Sequence, residues 1–111
     1  MEDRYLFKAK RVDNGKWVVW NIFSGLYGAD IDRYTVRQCT GLKDKNGNLI
    51  WENDIVKINN SKINTLITFR DFEIICTIPN EKYYKHRLEY DTEYEVVGNV
   101  FDNPELLESE G

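Results

Sequence analysis

The sequence holds one histidine, two cysteines and two prolines, and no apolar run near the roughly 18 residues of a membrane-spanning helix. Each scarcity removes a class of protein. With His86 as the lone histidine, a zinc site would need both Cys39 and Cys76 plus uncommon partners. The two cysteines stand 37 positions apart without CxxC spacing, so they read as small buried apolar residues of a reducing compartment. Neither GxGxxG nor GxxxxGK(S/T) occurs, which excludes phosphate cradles of those two types. The opening MEDRYLFKAK mixes acids and bases where a secretory leader carries an apolar stretch, and a cytoplasmic location away from membranes is expected. Repeats, low-complexity segments and internal linkers are also missing, so the 111 residues are expected to form one domain, 1–111.

Aromatics, by contrast, are abundant: three Trp, seven Tyr and five Phe. Each removes about 150–250 Å² from water when buried, so a small core gains much from few residues. Charge is unevenly spread. Residues 1–88 carry a net +4, whereas residues 89–111 hold eight acids and no base, within an overall charge of −4. The acidic end is either a solvated face or a segment that docks on a basic surface of its own or a neighbouring subunit.

The local pattern is strand after strand. Residues 5–12 and 16–23 flank Asp13-Asn14-Gly15, and Asn-Gly between two β-prone runs is the strongest short-range hairpin signal. In WVVWNIF both alternate faces are largely apolar, which places this strand between two layers or under an interface. Residues 24–32 read as a loop and residues 34–39 as a strand. Asp44-Lys45-Asn46-Gly47 is a second hairpin turn, followed by strands at 49–51, 55–58, 62–69 and 72–78, the last ended by Pro79. Residues 81–90 fit helix or strand equally. Residues 93–101 return to strand, with Gly98 as a bulge or a close approach. Asn103 as N-cap and Pro104 as first residue start a short C-terminal helix over 104–108. Turns at about ten-residue intervals point to an all-β, mainly antiparallel sandwich or small barrel.

Two blocks carry a family pattern: CTGLKDKNG with IWENDIV over residues 39–56, and VVGNVFDNPELL over residues 96–107. In order and spacing they resemble the YopX family of phage and prophage proteins, and residues 4–11 with Trp17-Val18 also fit. Trp20 departs from the family pattern, which has a small residue there, and the middle segments 21–35 and 59–90 are short. The resemblance implies a small protein with an SH3-like barrel, encoded on phages or prophages of Gram-positive bacteria and acting in the host cytoplasm. It implies no catalytic residues. The shared positions read as scaffold: Gly41, Gly47 and Gly98 meet backbone demands, and Asp54 caps a turn.

Catalytic chemistry finds little support. His86 lies among charges in KYYKHRLEY and reads as an exposed polar residue rather than a base. Asp44, Glu52 and Asp54 lack the alternating spacing of a calcium loop and read as turn caps. No catalytic residue, metal or cofactor is therefore expected. Tyr83, Tyr84, Lys85, His86 and Arg87 interleave rings with cations, and together with Trp20 they are the expected partner contacts. The same mixture suits single-stranded nucleic acid, but the overall acidity opposes that partner. The expected function is a non-enzymatic interaction module that self-associates, as a homo-oligomer, or binds a host or viral protein. The alternative is an anti-defence protein that sequesters a small nucleotide ligand or blocks a host effector.

Overall fold

Turn chemistry sets the strand order. The computed structural model describes residues 2–26, 30–70, 73–78, 86–87 and 92–108. Strands β1 (Leu6–Lys10) and β2 (Trp17–Asn21) pair antiparallel across the turn at residues 13–15, where Gly15 takes φ 71°. Strands β3 (Arg37–Lys43) and β4 (Leu49–Trp51) form a second antiparallel pair, and β1 also pairs with β3. The order β2-β1-β3-β4 makes a four-stranded sheet. Strands β5 (Asp54–Ile58), β6 (Thr65–Arg70), β7 (Glu73–Thr77), β8 (His86–Arg87) and β9 (Tyr94–Asn99) make a five-stranded sheet in the order β8-β7-β6-β5-β9.

The all-β, antiparallel expectation holds; neither sheet closes on itself among the described residues, so the SH3-like barrel is not shown. The chain changes sheets between Trp51 and Asp54. Asn53 adopts φ 70°, a left-handed conformation that asparagine tolerates, and its N–H donates to Ile67 O at 2.8 Å. That turn sends β5 away from β4 rather than continuing one sheet. The C-terminal helix is likewise only a 3-10 turn, Pro104–Leu107. Asn103 does not cap it with its side chain; its Oδ1 instead accepts from Asn99 N at 3.2 Å. Residues 34 and 35, expected within the strand over 34–39, lie instead in another 3-10 turn, Arg33–Thr35, because Asp32 accepts from Tyr34 N at 3.0 Å and starts a helical turn.

The two sheets share a core. Ile50 of β4 packs with Val56, Ile67, Cys76 and Tyr94 of the second sheet, and Leu42, Ile58, Ile74 and Val96 surround them. Both cysteines are buried, as expected of small apolar residues. Burial pushes the Cys76 thiol up to about 12, which removes its thiolate reactivity at neutral pH. Polar stitches add to the packing. Asp44 accepts from Asn46 N and Asn48 N in its own loop, each at 2.9 Å, and from Val96 N of β9 at 3.0 Å. Lys45 N donates to Tyr94 O at 2.8 Å, so the β3–β4 loop is bonded directly to the other sheet.

Of the two places expected for β2, between layers or under an interface, the first is not seen: β2 is an edge strand of the first sheet, and Val19 is 51 % exposed. Gly98 behaves as read: the β5–β9 register shifts beside it, leaving a bulge, and a Cβ there would lie 2.7 Å from Asn103 Oδ1. Among the described residues no helix is long and apolar enough to cross a membrane.

Gly98→Ala is expected to displace Asn103 and destabilise the fold by about 1–3 kcal/mol, the usual cost of overpacking a tight site. Urea unfolding checks this, and a midpoint equal to that of the parent chain would show that Asn103 yields without cost.

Candidate functional site

Strand alternation gathers the cations. In β1 the residues Lys8 and Lys10 share a face, with Phe7 and Ala9 on the other. The register sets Trp17 of β2 opposite Lys10, and Arg37 of β3 opposite Lys8. Three cations and an indole therefore occupy one face of the first sheet. Facing them are Asp54 at the start of β5 and, beyond β9, Phe101 and Asp102.

Arg37 and Asp54 form the centre of this cluster. Arg37 is 0 % exposed and Asp54 4 %, and their side chains make an ion pair. Arg37 Nε donates to Glu52 O at 2.7 Å, and Asp54 Oδ2 accepts from Trp51 N at 2.8 Å. Burial disfavours both charges, pushing Asp54 up and Arg37 down, and their mutual attraction opposes it. The Arg37 guanidinium sits 5.0 Å from the Trp17 ring centre and 5.9 Å from that of Phe101.

A second pair lies nearer solvent. Asp102 pairs with Lys10 and accepts from Trp17 Nε1 at 3.0 Å and Asn99 Nδ2 at 3.2 Å. The Lys10 and Trp17 hydrogen bonds hold its carboxyl down at about 2. Part of the acidic C-terminal segment thus docks on a basic face of its own chain; Glu95 adds a looser contact to Lys45 at 3.9 Å.

Lys8 completes the cluster without an acid of its own. Its Nζ lies 4.6 Å from the Trp51 ring centre and 5.2 Å from that of Trp17. Burial and the neighbouring Arg37 charge lower its pKa. Beside it, a groove of about 490 Å³ opens between the sheets, lined by Lys8, Asn48, Trp51, Asp54, Val96 and Asn99, with Gly47, Leu49 and Gly98.

The model matching this chain, described as YopX protein, spans residues 4–108. The chain belongs to the YopX family. Membership points to a phage-type protein. No curated protein matches the chain. Asp44 and Asp54 act in this YopX chain as framework: both cap turns, as read from sequence.

Of the expected contact residues, the described ones lie in different sheets. Trp20 is half-buried, stacked on Phe7 at 6.1 Å and 21° in the first sheet. His86 and Arg87 form outer strand β8 of the second sheet, opposite Cys76 and Ile75. Tyr83, Tyr84 and Lys85 lie outside the described residues. Sequence reasoning missed Lys8, Arg37 and Asp102. The available signal was the alternation Phe7-Lys8-Ala9-Lys10, which reads first as a solvated cationic face. Only the register with Trp17 and Arg37 turns that face inward.

Asp54→Asn keeps the acceptor for Trp51 N but leaves the Arg37 charge buried alone. A loss of about 3–5 kcal/mol is expected, and Arg37→Met added to it should recover most of that loss. Denaturant unfolding of single and double variants checks this; equal losses in both would mean that charge burial is not the cause. For Asp102 the folded pKa of about 2 lies below the 3.8 of a free aspartate, so its contribution is present above pH 4 and fades toward pH 2. The melting temperature of Asp102→Asn should accordingly fall below the parent's at pH 7, and the gap should shrink across that window.

Proposed function

We propose that this YopX protein is a non-enzymatic interaction module of phage origin that self-associates through the open edge of β2. The supporting observation is the chemistry of that edge. Ile22 N donates to Tyr5 O and Arg11 N to Lys16 O, which fixes the phase of the β1–β2 ladder. Antiparallel alternation then turns the main-chain groups of Trp17, Val19 and Asn21 outward, with Asn21 O already accepting from Gly25 N at 2.9 Å. Among the described residues β2 pairs with β1 alone.

Natural edges are blunted by charge, proline or a bulge, and residues 17–23 hold none of the first two. The register of β2 on β1 is also regular throughout. The neighbouring surface is apolar: Val19 is 51 % exposed, Ile22 53 % and Phe23 79 %, with Tyr5 edge-on to Phe23 at 5.0 Å. A second copy fits this edge because Val19 is the middle residue of β2. A two-fold axis there sets Val19 against itself and Trp17 against Asn21, a self-complementary register. Trp20 contributes by stiffening the strand through its stack on Phe7 rather than by touching the partner.

Light scattering of the full chain across a concentration series tests this. Two copies are expected, insensitive to salt because the strand is uncharged, and Val19→Lys should shift the mass to one copy. A parent chain that stays single at every concentration overturns self-association.

A further inference from the structure

The groove between the sheets is built around a charge imbalance. The cluster beside it contains three cations, Lys8, Lys10 and Arg37, and two carboxylates, Asp54 and Asp102. Lys10 is matched by Asp102 and Arg37 by Asp54. Lys8 is left over: among the described residues its Nζ has ring faces beside it but no hydrogen-bond acceptor. Arg37 Nη1 is buried and also lacks an acceptor. Arg37 is buried behind the groove and does not line it, whereas Lys8 is half-buried in its wall, so Lys8 is the cation that an incoming acceptor would reach.

The lining narrows the choice. We propose that this groove binds a small monoanion, a carboxylate or a phosphodiester, with Lys8 as its counter-charge. One negative charge balances the surplus. A second would be repelled by Asp54, which lines the same groove and whose oxygens already serve Arg37 and Trp51 N. A Cβ at Gly47 would meet nothing within 4 Å, so the wall there is main chain, and Asn48 and Asn99 add to the lining. About 490 Å³ falls within the usual range of small-molecule pockets. Trp51 is 7 % exposed, so the ligand meets the cation and main chain rather than an open ring. This site lies apart from the β2 edge and stands or falls independently of self-association.

The test is an amide-resolved NMR titration of the full chain with acetate and with dimethyl phosphate, using chloride at matched ionic strength as the control. Saturable shifts are expected at Gly47, Gly98, Asn99 and the Trp51 indole, and the stronger of the two probes identifies the source of the anion. Lys8→Met, which keeps the stem on the tryptophans, should weaken binding about tenfold or more, the worth of one charge-assisted hydrogen bond. Lys8→Arg should restore it. Shifts in the parent chain no larger than with chloride, or binding undiminished in a folded Lys8→Met chain, overturn the proposal.

Discussion

Arg37 reaches from the first sheet to Asp54 of the second, and the ion pair they make in the protein's interior is what the rest of the structure is arranged around. Removing two charges from water costs several kcal/mol each, which a single contact does not return. The surrounding groups supply the remainder. Glu52 O accepts from the guanidinium, Trp51 N donates to the carboxylate, and the Trp17 and Phe101 rings cover the cation. All of these are satisfied only when the turn between β4 and β5 is formed. The pair therefore specifies one arrangement of the sheets more than it adds stability, since apolar packing alone would tolerate several.

The same constraint explains why the two halves of the molecule differ in character. Where β4 meets β5, β6, β7 and β9, contact is made by aliphatic side chains, sulfur and one tyrosine. Where β1, β2 and β3 meet the start of β5 and the segment after β9, contact is made by cations, rings and acids. The first region supplies cohesion without direction. The second supplies direction, and its donors exceed its acceptors, which is why recognition is sought there.

Much of the framework was legible in sequence. Asn14-Gly15 and Asn46-Gly47 marked two hairpin turns because glycine reaches cheaply the left-handed backbone that Gly15 and Gly47 adopt, and the β4 bounds, residues 49–51, were read as they stand. Closure was not legible. Whether strands wrap into a barrel depends on a single turn at Glu52-Asn53, and periodicity cannot report its direction. The ion-paired cluster was hidden for a related reason: Lys8 and Arg37 are far apart in sequence, and a charged residue in a strand reads as solvent-facing until its cross-strand neighbours are known. WVVWNIF was expected between two layers or under an interface; the first does not hold, because two apolar faces also suit an edge strand stacked on its neighbour, as Trp20 is on Phe7.

Open sheets have ends, and the four here are unequal. Strand β4 is three residues long, β8 two, and β9 carries Glu95. Among the described residues only β2 offers a five-residue border with neither acid nor base. A molecule with two adhesive borders polymerises without limit, whereas one with a single adhesive border that matches itself stops at a pair. Under the proposed pairing, the asymmetry of these rims would end association at two copies rather than at a fibre.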